Sequence, residues 1–165
     1  MKKRRKKRGF YEPPIKNKII IQLIGMIYVA ILLLLLFWRT KYAPTPDYWT
    51  RVGANIQLVP FGTLRHYWKI IFNSNSISAL FNALLNLAGN VAIFIPLGMV
   101  LPYENTRLRS SGRFFLWAVI IIAAVELTQL FTLRGVCDVD DLILNVIGEE
   151  IGFMLFTIFE RIRKD

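Results

Sequence analysis

The sequence is poor in the residues from which metal centres and disulfide-stapled domains are built. It holds one cysteine, Cys137, and one histidine, His66. A lone cysteine excludes an intramolecular disulfide and a multi-cysteine metal site, and a lone histidine excludes a multi-histidine one. Cys137 has no histidine near it in the chain, and no serine has a recognisable base partner, so the sequence offers no nucleophile–base pair. Acids are scarce as well: 11 Asp and Glu stand against 21 Lys and Arg, a formal net charge of +10. Internal repeats and low-complexity linkers are absent. So is the polar stripe that soluble helices carry along apolar runs of this length.

What the chain does have is apolar sequence in blocks. Hydrophobic residues make up 55% of its 165 positions, and the mean hydropathy is +0.44. The blocks fall at 19–38, 77–101, 114–133 and 142–159. A run of about 18 or more apolar residues is long enough to cross a hydrocarbon core of roughly 30 Å as a helix. In lipid a helix satisfies its own backbone groups. The expectation is an all-α integral membrane protein, a four-transmembrane-helix bundle with a long first extracytoplasmic loop at 39–76. A cytoplasmic loop at 102–113, a short acidic extracytoplasmic turn at 134–141 and a tail at 160–165 complete it.

Most of the excess positive charge lies at one place, Lys2 to Arg8, with Lys16 and Lys18 following. Beside an apolar run, such a cluster in residues 1–18 reads as a topogenic signal with affinity for anionic lipid headgroups rather than as a nucleic-acid site. The run behind it is too long for a signal-peptide core and ends in Phe37, Trp38 and Arg39 without a small-residue cleavage site. It reads as an anchor that stays. With both termini in the cytoplasm, fifteen Lys and Arg fall inside and six outside, in agreement with the positive-inside rule. The stretch Leu64 to Phe72 mixes cationic, aromatic and aliphatic residues and suits an amphipathic helix in the interface, which also accounts for His66.

Polar residues inside the runs mark the candidate site. Asn82, Asn86 and Asn90 are spaced by four and share a helix face. Bonding across helices accounts for such a row as readily as ligand binding does. Pro96 and Gly98 then interrupt the same run. Glu126 and Gln129 are three apart on one face of the third run. A carboxyl group there must be protonated, paired or turned to a polar cavity. The turn that follows carries Arg134 and three acids in four positions, Asp138, Asp140 and Asp141. Helix capping explains one of these acids. Clustered carboxylates also suit a divalent cation, but the spacing lacks an EF-hand loop. Asp141 and Asn145 share a face, Gly148 and Gly152 form a small-residue packing motif, and Glu149 and Glu150 point about 100° apart with no partner assignable.

Four segments together resemble the VanZ-like family of bacterial membrane proteins: NIQLVPFGT at 55–63, NLAGNVAIFIPLG at 86–98, ELTQ at 126–129 with Arg134 and Gly135, and DVDDLILNVIG at 138–148. The resemblance covers about 55–159. Cys137 stands where that pattern commonly has an aromatic residue, and Glu149 and Glu150 replace small or apolar ones. The resemblance implies a cell-envelope setting and resistance to teicoplanin-type lipoglycopeptides, and it implies no particular reaction or cofactor.

Three functions follow. In the first, an outer polar pocket engages a lipid-linked cell-wall precursor or a lipid-tailed antibiotic. Asn86, Asn90, Gln129, Arg134 and Asn145 bind it, and Glu126, Asp138, Asp140 and Asp141 set the pocket's charge. In the second, those acids are catalytic, with Glu126 as general acid or base on a membrane substrate and an aspartate positioning that substrate or a divalent ion. In the third, the chain is a structural subunit of an envelope complex.

Overall fold

A computed structural model of the protein describes residues 15–38 and 47–163. The basic run at 2–8, the start of the first loop with Arg39 and Lys41, and Lys164 lie outside the described residues. Four long helices carry the fold: α1 (Ile15–Phe37), α4 (Ile77–Glu104), α5 (Ser111–Phe131) and α6 (Val139–Ile162). All four are long and apolar enough to cross a membrane. Between α1 and α4 lie two short helices, α2 (Tyr48–Ala54) and α3 (Gly62–Asn73), with a two-residue strand β1 (Ile56–Gln57) between them. A 3-10 turn (Thr106–Arg109) joins α4 to α5, and strand β2 (Cys137–Asp138) leads into α6. The chain is an all-α membrane bundle, and the strands form only a parallel bridge pairing Ile56 with Cys137 and Gln57 with Asp138.

The closest packing is between α4 and α6. A Cβ added at Gly148 would lie 2.2 Å from the carbonyl oxygen of Val91, and one at Gly152 would lie 2.0 Å from that of Ile95. Gly98 answers from α4, with the Glu149 carbonyl 2.0 Å from its missing Cβ. Small residues let helix backbones approach in a medium where apolar side chains gain nothing by leaving lipid for each other. Pro96 and Gly98 therefore do not end the second span: α4 runs unbroken through Pro96 and Pro102 to a C-cap at Asn105, and Gly98 serves contact rather than interruption.

The buried core collects Leu32 of α1, Phe94 and Leu97 of α4, Phe114, Ala118 and Ile122 of α5, and Val146 and Phe153 of α6. The Phe114 and Phe153 rings stack with centroids 4.5 Å apart. α1 joins through polar links: the Tyr28 hydroxyl donates to the Ile93 carbonyl and the Gln22 amide donates to Glu104 at 2.9 Å.

The turn from α5 to α6 is a tight backbone device. α5 closes with the Arg134 N–H on the Gln129 carbonyl (2.9 Å) and the Leu133 N–H on the Leu130 carbonyl (3.1 Å), the two bonds of a Schellman motif. Leu133 takes the left-handed position at φ 56° that glycine usually fills. Gly135 then lies against Gln129, whose Cβ is 3.0 Å from where a Cβ of residue 135 would be. This compact return brings β2 to β1, with the Cys137 N–H donating to the Asn55 carbonyl at 2.9 Å.

Candidate functional site

The elements around that bridge enclose a cavity of about 570 Å³ at one end of the bundle. α4 contributes Asn86, Gly89 and Asn90, α5 contributes Glu126 and Gln129, and α6 contributes Asp141 and Asn145. Arg134, Gly135, Val136 and Asp138 come from the turn, and Leu35, Leu36 and Trp38 from the end of α1. Of the nine residues singled out in the sequence, eight line this space. The ninth is Asp140.

The three acids of the turn, adjacent in sequence, go to three different partners. Asp138 caps α6, its Oδ1 accepting the Asp140 N–H at 2.8 Å, while its Oδ2 accepts the Thr63 hydroxyl at 2.6 Å. Asp141 Oδ1 accepts the Asn90 side-chain amide at 2.6 Å, tying α6 to α4. Asp140 is fully buried and points away from the cavity. Its carboxylate accepts the backbone N–H groups of Phe61 (2.6 Å) and Leu64 (3.0 Å). Those amides open α3, whose own N-cap residue Phe61 makes no side-chain cap. Asp140 thus caps a helix 76 to 79 positions upstream, where the carboxyl group also meets the positive end of the helix dipole. Its role is to seat α3, and its two oxygens are already committed. Among the described residues no three acids, cysteines or histidines gather as a metal-binding group.

Polar side chains also close the cavity against α1. The Gln129 amide donates to the Leu36 carbonyl at 2.8 Å, and Arg134 Nη1 donates to the Phe37 carbonyl at 3.3 Å. Both satisfy carbonyls that the last turn of α1 leaves unpaired. Asn86 turns back on its own helix, donating to the Asn82 carbonyl at 2.7 Å. Asn82 is exposed and lies outside the cavity.

Glu126 differs from these. It is 4% exposed, and its Oε2 has no hydrogen-bond partner among the described residues. Asn145, on the facing helix, has an unpartnered Oδ1. Two buried acceptors without donors, at a polar wall, are suited to receive donors from a guest. Glu149 lies one turn below Asn145 on α6, fully buried and with both oxygens unpartnered. Glu150 is half-buried beside it.

Three hydrogen-bonding wall residues of β1 and α3 are not among the sequence-based site candidates: Gln57, Thr63 and Tyr67. Gln57 donates to the Thr63 hydroxyl at 2.8 Å, which in turn donates its hydrogen bond to Asp138. The available signal was the polar pair in the NIQLVPFGT segment, which has no periodicity of its own. His66 is exposed on α3, its ring tilted against Tyr67, and takes no part in the wall.

Neither the curated proteins nor the solved structures compared with the chain gave a match. The family comparison did, and it reaches back into α1, further than the motifs from Asn55 onward. A family model described as VanZ/LLP1 matches residues 25–160, taking in the C-terminal part of α1, all of α4 and α5, nearly all of α6 and the whole cavity wall, so this chain is a multi-pass membrane protein belonging to the VanZ/LLP1 family.

Proposed function

We propose that the protein is a cell-envelope protein whose polar cavity opens to the outer leaflet, with both termini cytoplasmic, and engages a lipid-linked or amphiphilic ligand there. The observation that carries this is the make-up of one wall. Glu126, Asn145 and Arg134 face the same 570 Å³ as Leu35 and Leu36, so hydrogen-bonding groups and an apolar helix end meet at one guest. Ligand cavities of about 300–1,000 Å³ with few convergent polar groups are the common form of small-molecule sites. A lipoglycopeptide of the teicoplanin type or a lipid-linked cell-wall precursor combines the two chemistries such a wall accepts, and contribution to resistance against such antibiotics is the corresponding role.

The test is susceptibility to teicoplanin in a bacterial host producing the wild-type chain or the variants Asn145→Ala and Arg134→Gln, with membrane abundance followed by immunoblot. Losing the charged donors of Arg134 weakens binding by about 10- to 100-fold and losing the neutral amide of Asn145 by about 2- to 10-fold, so protection falls in both variants at unchanged abundance, further in Arg134→Gln. Full protection by both variants overturns the reading.

A second reading is favoured by the unpartnered Glu126 oxygen: an intramembrane enzyme acting on a cell-wall lipid precursor, with Glu126 moving a proton. Glu126→Gln keeps the shape and removes the proton. Under binding alone the envelope lipids seen by mass spectrometry are the same with and without the protein, and under catalysis an altered precursor appears with the wild-type chain and is lost in Glu126→Gln.

A further inference from the structure

Arg134 faces two spaces. One is the polar cavity; the other is an apolar groove of about 810 Å³ along the opposite flank of α1, lined by Ala30, Leu33, Leu34 and Phe37. Trp38 is shared in the same way. The end of α1 therefore stands as a post, with Leu35 and Leu36 toward the cavity and the other flank toward the groove. Ala30 and Leu33 also border a second apolar hollow of about 660 Å³, which continues past Met26 and Val29 toward the Gln22–Glu104 hydrogen bond. From Met26 to Trp38 the groove follows about 18 Å of helix at 1.5 Å per residue. That is about the depth of one leaflet's hydrocarbon, half of roughly 30 Å.

Charge assigns the two compartments. The cavity wall holds three acids, Glu126, Asp138 and Asp141, whose carboxyl oxygens suit hydroxyl, amide or ammonium donors rather than a free anion. Arg134 is the cation at the junction. One guanidinium donor, Nη1, goes to the Phe37 carbonyl at 3.3 Å, and a guanidinium has five N–H donors in a fork that matches phosphate oxygens. Apolar groove on one flank of α1, cation at the junction and hydrogen-bonding cavity on the other match the chain, phosphate and polar headgroup of one lipid phosphate.

The geometry points to a single bipartite site: the α1 groove holds one long hydrocarbon chain of a lipid phosphate, Arg134 grips its phosphate, and the cavity receives the head. This rests on reading the cavity as a binding site and names the class of its ligand. Bulk phospholipid and a polyprenyl phosphate carrier share that chemistry, and they differ in chain length.

The full chain in detergent, examined by native mass spectrometry, separates them. The probes are phosphatidylglycerol, a polyprenyl phosphate and the corresponding neutral polyprenol. The expected result is retention of the phosphates over the polyprenol, with loss of that preference in Arg134→Gln and its recovery in Arg134→Lys. Ala30 is exposed at the joint of the two hollows, so Ala30→Trp blocks the groove. Expelling two or three methylenes weakens retention of both phosphates by about tenfold or more. Ala30→Leu, a milder block, and an unchanged thermal midpoint guard against a folding defect. Preference for the polyprenyl phosphate assigns a long-chain carrier, and parity with phosphatidylglycerol assigns bulk lipid; either supports the site. Equal retention of polyprenol and its phosphate overturns the role of Arg134. Full retention in Ala30→Trp and Ala30→Leu overturns the groove, while the cavity reading survives if Asn145→Ala still lowers protection in cells.

Discussion

At the scale of single residues, Asp140 and Glu126 illustrate two fates of a buried carboxyl group. Asp140 spends both oxygens on the amides of Phe61 and Leu64. Asp140→Ala leaves two part-buried donors at the start of α3 without their acceptor and lowers stability by about 1–3 kcal/mol, whereas Asp140→Asn, which keeps one acceptor, costs less. Thermal unfolding in detergent reads the difference, and protease cutting near α3 should rise in step. Glu126 keeps an oxygen in reserve at the cavity wall, so Glu126→Gln is expected to leave that midpoint nearly unchanged. Sequence patterning found both residues but could not tell them apart. Spacing on one helix locates Glu126 and Gln129, because both partners of the pattern lie on the same element. What Asp140 touches lies at Phe61 and Leu64, and no local periodicity encodes a contact across that separation. The same reason hid Gln57, Thr63 and Tyr67, which enter the wall from a short irregular strand and a surface helix.

Among the elements, the α4–α6 pair sets the geometry that the rest inherits. Gly148 and Gly152 were legible as a small-residue motif, but their partner was not, since a motif on one helix names no facing helix. The structure supplies it: Val91, Ile95 and Gly98 of α4. Gly148→Ala and Gly152→Ala each drive a methyl group into backbone carbonyls that cannot rotate away, and overpacking of this kind costs about 1–3 kcal/mol. Gly112→Ala meets nothing within 4 Å and serves as the matched control at the start of α5. Melting of all three variants in one detergent checks the ranking, and equal stability of Gly148→Ala and Gly112→Ala would contradict the tight crossing. Widening this pair also pulls Asn90 from Asp141, so cavity-dependent protection should fall along with stability. The boundary between loop and helix was the least legible part. α6 begins at Val139, so that Asp140 and Asp141 lie inside its first turn rather than in the connection preceding it.

For the whole molecule, the orientation proposed from the charge distribution places Cys137 outside the cell. Cys137 is partly exposed next to the β1–β2 bridge, and burial, then the nearby Glu126 and Asp138 carboxyl groups, push its thiol upward from the usual value. The thiolate is the reacting species. An impermeant maleimide should therefore label Cys137 in intact cells slowly at neutral pH, and faster as pH rises by about tenfold per unit below the thiol's pKa. Labelling that appears only after lysis reverses the orientation, with Cys137→Ser as the blank. The four spans themselves were readable because length and continuous apolarity are properties of contiguous sequence. The enclosure of a cavity was not, because it depends on how α1, α3, α4, α5, α6 and the two-residue bridge meet.

The order of those elements along the chain has a consequence for assembly. α1 leaves the ribosome ahead of α4, α5 and α6, yet its hydrogen bonds run to Ile93, Glu104, Gln129 and Arg134, all made later. It must wait in the bilayer without these partners, stable there because its backbone is self-satisfied. The far wall, Asp138, Asp141 and Asn145, is synthesised last. A nascent chain halted anywhere before α6 has a post and two sides but no chamber, so capacity to hold a guest arrives in one step, with the final helix.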